Sequence, residues 1–290
     1  MEKNENSIAV IVLTMNEEIN IKECLSSALF FSKEIYVIDS GSTDRTVDIA
    51  KEMGAKVFEH PFTNYATQFN WALDNIDIEA KWILRLDADE RITKNLADEM
   101  LESTAKHNDD DVNGFVLKLR TFFMGKELKH GGVYPFKKLM LFKKGIGRIE
   151  ERKMDEHTTL SSGKALELKH DGIHYDYKDL TYFIKKHNWY STREAQDVLD
   201  GKTTEETKNL EKGQIKRRRK SKNFYYKLPS FFRCFLLFVY YYVFRLGFLD
   251  GKVGLIHCFL SVYWYRFLVD AKIYEYKITK KAFEETGALK

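Results

Sequence analysis

Trp82-Ile83-Leu84-Arg85-Leu86-Asp87-Ala88-Asp89-Glu90 is an apolar run that ends in two carboxylates one residue apart. A buried strand that delivers Asp87 and Asp89 together makes a hard-oxygen corner. Such a corner suits Mg²⁺ or Mn²⁺, which takes one or two protein carboxylates and fills its other positions with substrate phosphate oxygens. The carboxyl end of a strand is also where open α/β sheets place their ligands. In isolation the same pair is an acidic surface turn, so its neighbours decide what it is.

Upstream, Ile8-Ala9-Val10-Ile11-Val12-Leu13 is continuously apolar, as expected of a parallel strand covered on both faces. Ile21, Cys24, Leu25, Ala28 and Leu29 repeat at helical spacing. Ile35-Tyr36-Val37-Ile38 predicts a second strand that stops at Asp39-Ser40-Gly41-Ser42. Thr43-Asp44 can start a helix whose inward face is Val47, Ala50 and Met53. Lys56-Val57-Phe58 is a short third strand, residues 68–75 a helix, and Trp82 to Leu86 the fourth strand. This alternation predicts a Rossmann-like parallel sheet with right-handed crossovers.

Three strand ends then share one edge: Thr14-Met15-Asn16-Glu17-Glu18, Asp39-Ser40-Gly41-Ser42-Thr43-Asp44 and Asp87-Ala88-Asp89. Asp39 can accept a hydrogen bond from a nucleobase N–H or a ribose hydroxyl. Ser40, Gly41 and Ser42 allow close backbone approach, although Asp-Ser-Gly-Ser alone is also an ordinary capping turn. A glycine-rich dinucleotide fingerprint and a phosphate-loop lysine motif are both missing, which argues against dehydrogenases and ATPases. After about residue 110 the pattern changes. Gly114 to Leu119 alternates and Lys138-Leu139-Met140-Leu141-Phe142 is another apolar run, so a mixed or antiparallel extension is expected. Leu180, Phe183, Ile184, His187 and Tyr190 lie at helical spacing.

The chain has 290 residues, 44% apolar and 31% charged, and so predicts a folded protein. Cys24, Cys234 and Cys258 share no short metal-ligand spacing and are odd in number, which fits a reducing compartment. The polar start Met1-Glu2-Lys3-Asn4-Glu5-Asn6 offers no apolar signal core, so secretion is not expected. A net charge of +4 hides an asymmetry: nine Lys or Arg and no acid lie between Lys212 and Arg233. Such a block points to a phosphate-rich surface, either nucleic acid or anionic lipid.

Residues 224–276 hold 19 of the 41 aromatic residues. Their longest stretches free of Asp, Glu, Lys and Arg, Cys234 to Phe244 and Val253 to Tyr265, fall short of the ~20 residues that spanning requires. At helical periodicity Lys252, Arg266, Asp270 and Lys277 share one stripe. The composition suits a helix lying in the headgroup region, with a bundle packed on the main domain or on a second subunit as the alternative. The expected organisation is an α/β domain at 1–200, a basic polar linker at 201–223, and an amphipathic, membrane-associating helical region at 224–290.

Val12-Leu13-Thr14-Met15-Asn16-Glu17-Glu18, Tyr36-Val37-Ile38-Asp39-Ser40-Gly41-Ser42-Thr43-Asp44-Arg45-Thr46 and Leu86-Asp87-Ala88-Asp89-Glu90 together resemble the three signature segments of family 2 glycosyltransferases. The resemblance covers residues 7–200. It is closest to the branch that adds sugars to the lipopolysaccharide inner core, the lipooligosaccharide beta-1,4-glucosyltransferase type. That branch ends in an aromatic tail with a Gly-Phe-Leu-Asp-Gly element, matched by Gly247-Phe248-Leu249-Asp250-Gly251.

The resemblance implies a GT-A fold, an inverting mechanism, a UDP-sugar donor and a divalent cation, Mg²⁺ or Mn²⁺. On its pattern Thr14, Asn16 and Glu17 border the nucleoside, Asp39 meets the uracil, and Ser42 belongs to the same donor-binding loop. Asp87 sits near the ribose and metal, and Asp89 is the direct metal ligand. His174, in Gly172-Ile173-His174-Tyr175, can be a further metal or phosphate contact, with a structural histidine as the equal alternative. The general base must lie outside the two metal-side carboxylates, because a metal-bound carboxylate is a poor base. Met154-Asp155-Glu156-His157 supplies it, with Glu156 preferred over Asp155. One departure is Gln68-Phe69-Asn70, where such enzymes commonly carry a basic residue before the Asn; Arg85 or Arg148 can supply that charge instead. Lys186, Asn188 and Tyr190 resemble a Lys-x-Asn-x-Tyr element, with acceptor-side or packing roles.

The leading expectation is therefore a glycosyltransferase at the cytoplasmic face of the inner membrane. It would move glucose from UDP-glucose to a lipopolysaccharide-core or other lipid-linked acceptor, with Lys216-Arg217-Arg218-Arg219-Lys220 and the aromatic tail against anionic lipid. A polyprenyl-phosphate acceptor is a second reading, in which the nucleophile is already anionic and no base is needed. A nucleic-acid-binding protein driven by residues 212–233 is a third. It leaves the three acidic strand ends unexplained, and no nucleic-acid partner is expected.

Overall fold

Ile8–Thr14 forms β1, buried along nearly its whole length. The structure, a computed structural model, describes residues 8–150, 157–200 and 225–286, with side chains to residue 280. The chain divides into two units, one made of Met1–Lys129 with Val133–Lys178, the other of His130–Gly132 with Asp179–Lys290.

In the first unit β1 is followed by α1 (Ile21–Ala28), β2 (Glu34–Asp39), α2 (Thr46–Glu52), β3 (Lys56–Glu59), α3 (Tyr65–Asn75), β4 (Trp82–Asp87), β5 (Glu90–Arg91) and α4 (Lys94–Lys106). Then come β6 (Val112–Phe123), β7 (Lys126–Leu128), β8 (Phe136–Lys143), β9 (Gly147–Ile149), β10 (Thr158–Leu160) and β11 (Lys164–His174). The main sheet runs β3-β2-β1-β4-β8-β6-β11-β5, with β7 on β6, and β9 and β10 form a separate hairpin. β3, β2, β1 and β4 are parallel, as the alternating pattern predicts. Beyond β4 the polarity flips: β8 is antiparallel to β4 and to β6. β11 is parallel to β6, and β5 is antiparallel to β11.

The two-residue period of β1 sorts its side chains between two cores. Ile8, Val10 and Val12 pack with residues of α1, α2 and α4, whereas Ala9 and Ile11 pack with Ala66, Phe69 and Ala72 of α3. That double cover is why the strand is apolar throughout. Two helix starts differ from the sequence expectation. α2 begins at Thr46 because Asp44 turns its carboxylate onto the backbone N–H groups of Thr46 and Glu18. α3 begins at Tyr65, where the Asn64 side chain accepts from Thr67 N at 2.8 Å and caps the first turn.

The second unit contains α5 (Leu180–Leu199), α6 (Phe232–Val239), a π-helical turn at Tyr240–Phe244, a 3₁₀ turn at Gly247–Asp250, α7 (Gly251–His257), a second π-helical stretch at Cys258–Trp264, and α8 (Tyr265–Thr286). α5 packs on α8 around Ala195, Tyr265, Val269 and Ile273. It therefore belongs with the C-terminal helices, and the border between units falls at Lys178 instead of residue 200. The expected linker at 201–223 lies outside the described residues.

The polar stripe inferred from periodicity is split: Lys252 and Lys277 are exposed, but Arg266 and Asp270 are not turned to water. Asp270 is buried against Arg233, and Arg266 donates to Glu194 at 2.6 Å, so two of its four members point into the unit. His130, Gly131 and Gly132 join this unit from the β7–β8 connection. His130 donates its backbone N–H to Asp250 at 2.9 Å and sets its ring Nδ1 2.8 Å from the same carboxylate. Gly131 N donates to Arg245 O at 2.8 Å. Gly132, at φ +72°, leaves no room for a side chain: a Cβ there would sit 2.8 Å from the Tyr241 ring.

Candidate active site

β4 ends at Asp87, the chain turns through Ala88-Asp89, and Glu90 opens β5. β5 lies antiparallel to the end of β11, with His174 opposite Glu90, and Tyr175 N donates to Asp89 O at 2.8 Å. This register brings His174 Nε2 to 3.4 Å from Asp89 Oδ2. Burial lowers the imidazole pKa, but Asp89 outweighs it, and His174 stands above the ordinary histidine value. Its other nitrogen, Nδ1, is buried without a hydrogen-bond partner.

Asp87 is held differently. Tyr65 donates to its Oδ1 at 2.5 Å, and the Lys138 ammonium donates to its Oδ2 at 2.8 Å. Lys138 also donates to Glu90 Oε1 at 2.6 Å, while Glu90 Oε2 accepts the Asp87 N–H at 2.9 Å. Arg85 stacks over the Tyr65 ring at 4.2 Å and donates to its hydroxyl at 2.7 Å. Burial favours the neutral acid at Asp87, but Lys138 and Arg85 overcome it and hold the carboxyl below its usual range. At Glu90, enclosed entirely, burial prevails and raises the pKa.

Among the described residues no three His, Cys, Asp or Glu side chains gather into a closed metal cage. The arrangement nonetheless fits a divalent cation of the hard, phosphate-bridging kind. Asp89 offers oxygen and His174 nitrogen from one small corner, which leaves further positions to a ligand's phosphates.

The two predicted donor loops are interlocked. Asp39, 1% exposed, accepts four hydrogen bonds: Thr14 Oγ1 (2.9 Å), Ser42 Oγ (2.5 Å), Gly41 N (2.9 Å) and Ser42 N (2.7 Å). Its carboxylate thus shapes the loop from within. Asn16, at φ +56°, donates its N–H to Ser42 Oγ at 2.8 Å and accepts from Thr43 N at 2.8 Å. Glu17 N donates to Thr46 Oγ1 at 2.7 Å. The Glu17 carboxylate accepts from Asn20 at 2.8 Å and Lys178 at 2.6 Å; burial raises its pKa despite both donors. Asn20 also donates to Asp176 at 2.9 Å, so the loop after β1 is tied to the segment just past His174. Thr14, Asn16, Glu17, Asp39 and Ser42 therefore form one platform, although their side chains are mostly engaged with one another.

Asp155 and Glu156 lie outside the described residues. What flanks them is fixed. The hairpin of β9 and β10 pairs Ile149 with Thr158, and Glu150 N donates to His157 O at 2.9 Å. Asn70 grips Ile149 from α3 with two hydrogen bonds, Nδ2 to O at 2.8 Å and N to Oδ1 at 3.0 Å. Phe69, the departure noted in the sequence, is fully buried against Phe142, and Gln68 Nε2 donates to Ser40 Oγ at 2.6 Å. Of the two substitute cations, Arg85 lies at the site, whereas Arg148 forms an exposed two-pronged pair with Asp74. Lys138, Tyr65 and Glu90 were missed by sequence reasoning. Glu90 stands beside the carboxylate pair and Lys138 opens an apolar run, but only the β4–β8–β6 ordering brings them together.

A family model described as Glycosyl transferase family 2 matches residues 9–158. An uncharacterized glycosyltransferase of Rickettsia typhi is 29% identical over 202 residues, covering 66% of this chain and 68% of its own. The lipopolysaccharide core biosynthesis glycosyltransferase LpsC of Rhizobium meliloti is 27% identical over 202 residues, covering 67% of this chain and 73% of its own. Among solved structures, glucosyl-3-phosphoglycerate synthase from Mycobacterium tuberculosis, crystallised with Mn²⁺, UDP and glucosyl-3-phosphoglycerate, matches at 19% identity and a TM-score of 0.32. That match covers 40% of this chain and 44% of the solved one, so the chain spans less than half the length of the structure it matches.

Proposed function

This chain belongs to glycosyl transferase family 2 and carries a GT-A-like mixed sheet, and from that premise we propose that it moves a sugar, glucose, from a UDP-sugar to a saccharide hydroxyl on a lipopolysaccharide-core or other lipid-linked acceptor. The transfer inverts the anomeric carbon and takes place at the cytoplasmic face of the inner membrane. The observation that carries this reading is the Asp89–His174 corner, 3.4 Å across, tied through Asn20 and Asp176 to the interlocked loops of β1 and β2.

Mg²⁺ or Mn²⁺, when bound, supplies Lewis-acid neutralisation of the diphosphate leaving group. Asp89 and His174 are the residues to hold it. Asp87 is oriented by Tyr65 and Lys138, and each of its oxygens keeps a lone pair for a ribose hydroxyl. The Thr14–Glu17 and Asp39–Ser42 loops present a rigid seat to the nucleoside, so little ordering cost remains on binding. Glu156, with Asp155 as second choice, takes the proton from the acceptor hydroxyl as it attacks the anomeric carbon. The anchored β9–β10 hairpin supports that segment from both ends.

The test is UDP release with UDP-glucose, UDP-galactose and UDP-N-acetylglucosamine, with and without chelator, on the parent, Asp89→Asn, His174→Ala, Glu156→Gln and Asp155→Asn. Turnover should be highest with UDP-glucose. It should stop with chelator, collapse in Asp89→Asn, and fall by ~10²–10⁴ in the variant that lacks the base. Turnover insensitive to chelator removes the metal assignment. Unchanged turnover in both Glu156→Gln and Asp155→Asn shifts the acceptor to a polyprenyl phosphate, whose oxygen needs no base.

A further inference from the structure

Between Tyr225 and Asp270, charge and exposure are sorted. The two carboxylates of that stretch are Asp250 and Asp270, 5% and 2% exposed. Each is engaged within its own unit, Asp250 by His130 and Asp270 by Arg233. Arg266 is likewise committed to Glu194. What stays on the outside is either cationic or apolar. Lys227, Arg245 and Lys252 are exposed, and so are Phe232, Phe235, Phe244, Phe248, Leu249 and Phe259, with Phe244 at 73%. A water-facing surface sheds large apolar groups and mixes both signs of charge; this one does neither.

We propose that the outer face of α6, the Tyr240–Phe244 turn, the Gly247–Asp250 turn and α7 is a seat for an anionic phospholipid bilayer, entered from one side and not crossed. No single described helix is long and apolar enough to span a membrane; the arms Phe232–Phe244 and Gly247–Lys280 reach that length and composition only together, across a 69° bend. The bend has a local cause: Leu246 takes φ +60°, and Gly247 has Tyr241 O and Cys258 Sγ so close that no Cβ fits. Short amphipathic arms with aromatic and basic residues lie in the interfacial plane, where the rings reach the acyl boundary and the cations meet lipid phosphate. A second copy of the chain is a poor occupant. With no exposed carboxylate between residues 225 and 270, a two-fold contact would set Arg245 and Lys252 against their own kind.

The seat rests on the membrane-surface part of the proposed function and not on the donor chemistry, and the test keeps the two apart. The full-length protein is sedimented with vesicles of phosphatidylglycerol and phosphatidylcholine, and with phosphatidylcholine alone, without nucleotide. Strong binding to the first, little to the second, and release by high salt are expected. Arg245→Gln with Lys252→Gln should weaken binding about 25-fold, since each base near an anionic surface contributes about fivefold. Phe244→Ser with Phe248→Ser should weaken it at least tenfold, by the burial worth of an aromatic side chain. All four side chains are exposed, so melting curves should stay unchanged and UDP release on a detergent-solubilised acceptor should persist.

Equal binding to both vesicle types, or unchanged binding in both variants, overturns the seat. So does retention through an alkaline carbonate wash, which indicates a span. A stable dimer that ignores vesicles, or oligonucleotide affinity matching that for phosphatidylglycerol, overturns it too. Loss of vesicle binding with intact transfer would sink the seat alone; intact binding without transfer would sink the donor reading alone.

Discussion

Lys138→Met removes an ammonium that lies 2.8 Å from Asp87 and 2.6 Å from Glu90, and the magnitude of the damage follows from where these groups sit. The Glu90 side chain is 1% exposed and that of Lys138 22%, so solvent screens the pair little. Removing one partner of a buried ion pair costs about 3–5 kcal/mol, because the survivor keeps an uncompensated charge. Glu90 softens the loss by taking up a proton, since burial already raises its pKa, which puts the expectation near the lower end. At ~2–4 °C per kcal/mol for chains of this size, ~3 kcal/mol corresponds to a melting temperature lower by about 6–12 °C.

The sign of the pH dependence is fixed as well. In the parent, Asp87 sits below its unfolded value, so its contribution is present above the ordinary aspartate pKa and fades as the solution is acidified. In the variant, Glu90 loses the charge that opposed its burial and prefers a proton in the folded state, so stability falls as pH rises through Glu90's raised pKa. The gap between parent and variant should therefore widen from pH 5 to pH 8 in thermal or urea unfolding. Lys138→Met combined with Glu90→Gln should regain at least half of the loss. A drop under about 1 °C, or a gap that narrows toward pH 8, would show that these three groups are not coupled as described.

Asp39→Ala removes the acceptor of four hydrogen bonds in the donor loops. With bonds to a charged group worth about 1.5–3 kcal/mol each and strongly non-additive, a net loss of ~3 kcal/mol is expected, along with UDP affinity weaker by at least tenfold in titration calorimetry. Parental UDP binding would show that the loop keeps its shape without the carboxylate. Gly132→Ala meets both a positive φ and the Tyr241 ring, for a combined cost of about 2–5 kcal/mol in unfolding experiments. Gly54→Ala, at φ +82° with open space around it, should cost only the conformational share, ~1–2 kcal/mol; equal losses in the two would discount the ring contact.

The parallel half of the sheet was legible because each strand is covered on both faces and so writes a continuous apolar run. The flip to antiparallel after residue 110 was visible as alternation in β6. The order of β8, β6 and β11 was not, since pairing partners 17 or more residues apart leave no local periodicity. That ordering is what delivers Lys138 to Asp87 and His174 to Asp89, so the acids of the site were readable while the cation that steadies one of them was not. Asp39 was legible as a loop carboxylate, but its four internal donors were not, because a side chain facing its own backbone resembles one facing a ligand. The helical stripe at Lys252, Arg266, Asp270 and Lys277 misled for a related reason. Periodicity reports which residues share a side, and only packing reveals that Arg266 and Asp270 turn inward onto Glu194 of α5 and Arg233 of α6 while Lys252 and Lys277 stay exposed.

The His130–Gly132 insertion has a consequence for biosynthesis. His130 and its partner Asp250 are 120 residues apart, so at ~5–20 residues per second the ribosome needs roughly 6–24 s to make one after the other. Until Asp250 follows, the three-residue graft lacks its acceptor, while from Lys178 onward the sheet that flanks it is already complete in sequence. Nascent chains stalled before residue 250 should therefore be open to proteolytic cleavage at this graft, and chains stalled well beyond it resistant, which makes the β7–β8 connection a timer for completion of the C-terminal unit.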